Sequence, residues 1–311
     1  RNMEIGGFES LIADVGNLEG KGTGSHLIGL RMFWKPLNKM FKGPPLNALS
    51  VGFSVVTDTS APQSLATDSD GNAVVRDDGH YQVAETFGAT VHGFDAEIQV
   101  LKTPLLDIVP YMDLNFIRRA GSGFHIGVRG TAKLPIGLNL KLPARLEYRR
   151  FSKNYIPAYF STFYELERYA YPLDSEGPTQ PKLSWLRSQN SDEGVNGLYG
   201  DAAFDFVGLV QIGALYEAYL GYSSNFGVFV NVPALETIKL KAYYARNNVE
   251  GLDDIFVFDE RSMAVAQGKY MIMKNIYAVG QFTRQWTLNA DTSAYEPTDA
   301  WTFNVEFAWA M

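Results

Sequence analysis

Two sets of charged residues stand at spacings that put each set on one face of an extended chain. Arg129 and Lys133 are four apart, and Lys141, Arg145 and Arg149 repeat that interval on the next segment. Asp95 and Glu97 are two apart, and Asp107 and Asp113 are six apart on the segment after them. Even intervals keep side chains on one side of a strand. A basic strip on two adjacent strands, with an acidic strip on the two strands before them, would set a transverse field across a pore and select polar or charged solutes. The same residues also suit wall salt bridges, Asp107 with Lys133 for example, because opposite charges on neighbouring strands stabilise a sheet. The spacing alone leaves both readings open.

No other constellation assembles a reaction centre. The chain has no Cys, which excludes disulfide frameworks, Cys-ligated zinc, iron–sulfur sites and cysteine nucleophiles. The four His are His26, His80, His92 and His125, and none forms an i,i+4 metal pair. His125 alternates with Arg129 and Lys133 and reads as a polar wall residue. Asp68, Asp70, Asp77 and Asp78 offer oxygen ligands for Ca²⁺ but lack EF-hand spacing, so a solvated loop is expected. No Gly-rich phosphate loop opens a helix. The expectation is a protein that is not an enzyme, with no cofactor and no metal.

The elements that must carry these residues are strands. In the last eleven residues, Trp301, Phe303, Val305, Phe307, Trp309 and Met311 alternate with Thr302, Asn304, Glu306, Ala308 and Ala310. That is period-2 alternation, over about the 9–11 residues a tilted strand needs to cross a bilayer. The pattern recurs, and it predicts strands near 3–15, 25–34, 47–57, 81–102, 105–118, 122–134, 137–150, 157–170, 203–220, 225–232, 237–247, 263–274, 276–288 and 301–311. The count is about fourteen, with twelve and sixteen as neighbours. Residues 155–171 fit a helical face as well as a strand, and if 157–170 is not a strand an even count requires 81–102 to split at His92-Gly93, where its apolar phase flips. A chain of strands with no helical layer must close its sheet or stack two sheets.

Composition narrows this further. The 311 residues carry a net charge of -7, and an acidic chain without a basic tail argues against nucleic acid. No run approaches the roughly 18 apolar residues of a membrane helix. Yet the chain holds 20 Phe, 17 Tyr and 5 Trp at a mean hydropathy of only -0.11. On the apolar faces Phe116, Phe124, Tyr148, Phe226, Tyr244, Trp286 and Trp301 fall toward one set of strand ends, and Trp34 and Trp309 toward the other. Tyr and Trp favour membrane interfaces, where an apolar ring meets a polar tip. Short Pro-containing turns (Lys35-Pro36-Leu37, Thr103-Pro104, Leu134-Pro135, Val232-Pro233) share one end with both termini, and long polar loops such as 58–79, 248–262 and 289–300 take the other. That asymmetry and an even strand count are the signature of a transmembrane barrel. No signal peptide is legible, and the chain begins with Arg1, which is compatible with a processed or trimmed N-terminus.

On these motifs the chain resembles a Gram-negative outer-membrane β-barrel protein over essentially its whole length. The resemblance implies an all-β, closed antiparallel barrel spanning 1–311 as one domain, with a loop or plug-like insertion around 151–202, in the bacterial outer membrane. It implies outer-membrane lipid, the barrel-assembly machinery and other envelope proteins as partners. Trp301, Phe303, Phe307, Trp309 and Met311 would form the terminal assembly signal, with Met311 where the family usually ends in Phe. Two functions fit: a polar-lined channel for small solutes, or a plugged barrel that anchors a larger envelope complex.

Overall fold

The computed structural model describes residues 5–12, 25–76, 81–135, 140–161, 164–171, 179–189, 193–233, 237–274, 276–289, 292 and 294–307. Among them the chain forms β1 (Gly6–Ile12), β2 (Leu27–Trp34), β3 (Ser50–Asp58), β4 (Pro62–Leu65), β5 (Val83–Thr86), β6 (Ala89–Glu97), β7 (Leu101–Lys102), β8 (Leu106–Ile117) and β9 (Ser122–Leu134). After them come β10 (Leu140–Ser152), the short helices α1 (Tyr164–Glu167) and α2 (Lys182–Ser188), β11 (Gly194–Phe206) and β12 (Val210–Tyr219). The chain finishes with β13 (Tyr222–Val232), β14 (Ile238–Val249), β15 (Ser262–Met273), β16 (Ile276–Asn289) and β17 (Ala294–Phe307). Among the described residues no helix is long and apolar enough to cross a membrane.

One antiparallel sheet of fifteen strands contains all but β4 and β5, which pair as a separate hairpin. Its continuous path runs β1-β2-β3-β6-β8 and then in order to β17, with β7 paired to β8 off the path. The path curls until β1 and β17 touch, but no hydrogen-bonded ladder joins them among the described residues. The sheet expected to be closed is thus open along that seam.

Three strand expectations are corrected. The described residues of 157–170 contain no strand. The rings of Tyr159 and Tyr164 turn into one buried cluster, and one helical turn is the regular part. Residues 203–220 are two strands, reversed at Val207 and Gly208, both at positive φ (60° and 73°). Phe206 pairs with Val210, so even-numbered residues keep facing the same way through the reversal and the alternation hides it. Residues 81–102 break at 87–88 and at 98–100, whereas His92-Gly93 lies inside β6. The first two errors offset each other, so both ends of the path still start and finish at the same rim. That rim also carries the connection at 35–49, which is longer than expected and includes a 3-10 turn at Leu46–Ala48. The opposite rim includes two tight connections, 118–121 and 220–221, beside its long loops.

The two faces of the wall are opposite to those of a soluble barrel. On β10, Leu146 is 58% exposed, whereas Glu147 and Arg149 on the alternate face are buried. Trp34, Leu198, Phe204, Ile212, Trp301 and Phe303 share the exposed outward face. Large apolar side chains outside and charged ones inside minimise free energy only when the outer surroundings are apolar.

Candidate functional site

The inner wall holds the charged strips, and its register explains how they are arranged. Arg145 lies directly opposite Arg129, and Lys141 opposite Lys133. Like charges in such positions repel, and three of the four turn away to acids. Arg129 reaches across to Glu97. Lys133 pairs with Asp107 at 2.6 Å. Arg145 binds Asp201 on the next strand at 2.7 Å and Glu147 at 3.3 Å. Lys141 makes no ion pair among the described residues; its cross-strand neighbour Asp205 accepts from the Gly208 amide at 2.7 Å. Arg149 bridges Glu147 and Glu217, each at 2.6 Å, and donates to the Tyr219 hydroxyl at 2.9 Å. Asp95 accepts from Arg31 at 3.0 Å, and Asp113 lies 3.9 Å from Nδ1 of the buried His125.

The basic and acidic strips therefore do not face each other across open space. They interlock along the wall, which is the salt-bridge reading of the spacing. Sequence reasoning missed the central partners Arg31, Tyr111, Glu147, Tyr199, Asp201, Glu217 and Tyr219. Tyr199 lies under two guanidiniums, with Arg145 4.5 Å and Arg149 4.1 Å from its ring centre. The Tyr111 hydroxyl donates to Glu147 across Gly127, where any Cβ would strike both side chains. Gly197 likewise leaves room for the Tyr219 ring. Inward aromatic and acidic residues at the same parity as Arg145 were the available signal. A recess of about 520 Å³ remains on the inner wall, lined by Gln99, Asp107, Tyr111, Arg129, Thr131 and Arg145.

The long-loop rim of this inner face is filled. Tyr155, Tyr159, Tyr164, Leu183 and Leu186 of the β10–β11 connection pack with the inward residues Ala89, Ile117, Phe151 and Val195. The connection is tied to distant parts of the path. Asp58 at the end of β3, fully buried, accepts from the Tyr164 hydroxyl at 2.7 Å and pairs with Arg168 at 3.2 Å. Burial holds the Tyr164 phenol well above its usual range, so it stays a donor. Lys182, also buried, pairs with Glu167 and donates to the Tyr159 carbonyl at 2.9 Å. Asn247 of β14 donates to Glu167 at 3.4 Å.

The expected interface aromatics fall into three groups. Trp34, Tyr148 and Trp301 are exposed on the outward face, and the Tyr148 hydroxyl donates to Asn196 at 2.7 Å. Tyr244 and Trp286 are covered by rings of the 250–261 loop. Trp309 and Met311 lie outside the described residues. Of the remaining terminal-strand residues, Phe303 is 79% exposed. Phe307 pairs with Ile276 in the register. The loop acid Asp68 accepts from the amides of Asp70 and Asn72, both at 2.9 Å, as an ordinary turn; Asp77, Asp78 and His80 lie outside the described residues.

No family model matches the chain, and no curated protein matches it. Among solved structures it is similar to the NanC porin, at 8% identity over 98% of each chain with a TM-score of 0.35. It is similar to the P. putida toluene transporter TodX, at 10% identity over 99% of this chain and 88% of that one, TM-score 0.37. It also matches BauA, the ferric preacinetobactin receptor of Acinetobacter baumannii, at 9% identity over 90% of this chain and 51% of that one, TM-score 0.37. The chain thus spans about half the length of that receptor. Likenesses this remote carry no argument.

Proposed function

We propose that the chain is a transmembrane β-barrel of the bacterial outer membrane that acts as a polar-lined channel for small solutes. The observation that carries it is the inverted wall, apolar outside and charged inside. On this reading β1 meets β17 and closes a fourteen-strand barrel, since a free sheet edge has no water to bind it in lipid. Outer-membrane lipid surrounds the wall, and the barrel-assembly machinery takes up the terminal strand. The 153–193 connection acts as a plug at the long-loop rim, and the recess around Arg129 and Arg145 is the polar path beneath it.

The buried plug and the paired wall charges also favour a second reading, a closed barrel that anchors an envelope complex. Planar-bilayer recording separates the two. A channel gives small currents as wild type and larger ones when Arg168→Ala loosens the plug. Properly folded protein that passes no current in either form would sink the channel and leave the anchor.

A further inference from the structure

The 250–261 connection reads in the sequence as a polar surface loop, yet it folds down the outside of the wall. Arg246 shares the outward face with Tyr244, but its side chain is fully buried because the loop covers it. Its guanidinium donates to Asp259 at 2.8 Å, to the Val257 carbonyl at 2.6 Å, to Ser262 at 2.8 Å and to Asp254 at 2.5 Å. The Tyr244 hydroxyl donates to the Ile255 carbonyl at 2.7 Å. Phe258 stacks on Trp286, ring centres 4.7 Å apart, and Phe256 on Tyr244 at 6.2 Å.

The loop thereby replaces covered wall aromatics with exposed apolar groups of its own. Leu252 is 87% and Phe256 65% exposed, and Val257 and Phe258 are nearly half exposed. Their level on the wall follows from the register. Tyr244 pairs with Ala264, Ala264 with Arg284, and Arg284 with Asp299. The exposed Arg284–Asp299 ion pair lies one outward step above the apolar Phe282–Trp301 contact. The patch thus sits where the apolar wall gives way to charge, and it continues the outward apolar face. The loop acids that face the wall, Asp254 and Asp259, are neutralised by Arg246 and Arg261. Acid–guanidinium contacts beneath exposed rings suit an interface between water and hydrocarbon.

We infer that residues 250–261 form a membrane anchor whose Leu252, Phe256 and Phe258 insert at headgroup level into the bilayer around the wall. The inference rests on the membrane reading above, and its test separates the two. The chain has no Cys, so single labels are unambiguous. An environment-sensitive dye is placed at Leu252→Cys, at Phe303→Cys on the outer wall, and at Asp70→Cys in an exposed turn. Each protein is reconstituted in phosphatidylcholine vesicles, a zwitterionic probe chosen because Glu250 and Asp253 are exposed acids. Nitroxides are placed in the lipid at shallow or deep positions. The anchor predicts strong shallow quenching at position 252, deeper quenching at 303 and none at 70. Adding Arg246→Gln should abolish most quenching at 252 and leave 303 unchanged. Quenching at 303 without any at 252 overturns the anchor while the barrel stands. No quenching at either overturns both. Energy transfer between copies labelled at 252 that fades on dilution in lipid overturns the lipid assignment in favour of a second copy.

Discussion

The β10–β11 and β14–β15 connections leave the same rim of the sheet and settle on opposite faces of the wall. Both are rich in Tyr or Phe and both bury an arginine against aspartate. The side each takes follows from strand parity. Asn247 faces inward and donates to Glu167 of the inner connection, whereas Arg246, one residue earlier, faces outward and holds the outer one. In the inner connection Glu167, Arg168 and Lys182 are buried together with Asp58 of β3, and so are the rings of Tyr155, Tyr159, Tyr164 and Tyr169. The outer one encloses the Arg246 guanidinium with Asp259 and Ile255 and leaves Leu252, Phe256, Val257 and Phe258 exposed. A buried ring cluster suits a space that must exclude water, and an exposed one suits a surface that water does not reach.

Mutations in the two connections should separate the inner one from the outer one. The largest effect is expected inside. Arg168→Ala leaves Asp58 enclosed without its cation, and removing one partner of a buried pair costs about 3–5 kcal/mol. Denaturant unfolding in detergent should show a loss of that size, with added protease sensitivity in 153–193. A neutral result would mean that water already reaches Asp58. Arg246→Ala should cost less, about 1.5–3 kcal/mol, because it removes hydrogen bonds to charged groups that lie closer to solvent. Its signature is faster amide exchange confined to 250–261, with the inner connection unchanged; exchange rising in both would show that the two are coupled.

Acid should act on the outer connection next. Hydrogen bonding from Arg246 outweighs the small effect of burial and holds the Asp254 carboxyl below its usual range. Burial pushes Asp259 up, but Arg246 and Arg261 outweigh it and leave it low as well. A carboxylate whose folded pKa is depressed contributes stability above its unfolded value, about 3.9, and loses it as pH falls through the folded value. Residues 250–261 should stay docked at neutral pH and loosen progressively as pH falls below about 4 toward the depressed folded values. A dye at Leu252→Cys would report the change by its emission, and a spectrum that stays flat while the loop acids protonate would refute it. The smallest effect is expected for Phe258→Ala, which removes the stack on Trp286 at about 0.5–1.5 kcal/mol beyond lost area. A red shift of Trp286 emission, isolated by changing the other Trp to Phe, would measure it.

The wall was largely legible because its signal is local. Alternation in Leu138–Tyr148 or Trp301–Phe307 follows from successive side chains pointing to opposite faces, whatever the partner strand. Reversals were less legible. At Val207-Gly208 the pairing keeps parity, so nothing in the apolar pattern marks the turn. The charged strips were half legible. Arg129, Lys133, Arg145 and Arg149 share a face as their spacing requires, and the Asp107–Lys133 pair was expected, but the partners Glu97, Asp201 and Glu217 depend on register. Tyr155–Arg168 was ambiguous for another reason. Its rings serve a cluster drawn from β6, β8, β10 and β11, and no local period encodes that.

Neighbouring residues alone make this protein a wall of strands with one apolar and one charged face, because the twofold repeat of an extended chain is a local property. Which charges neutralise one another, which rim is filled, and that one loop turns in while another turns out are set by the folded chain. Those outcomes depend on pairing between residues as far apart as Asp58 and Arg168, and the distance between them is set by the curvature of the whole sheet.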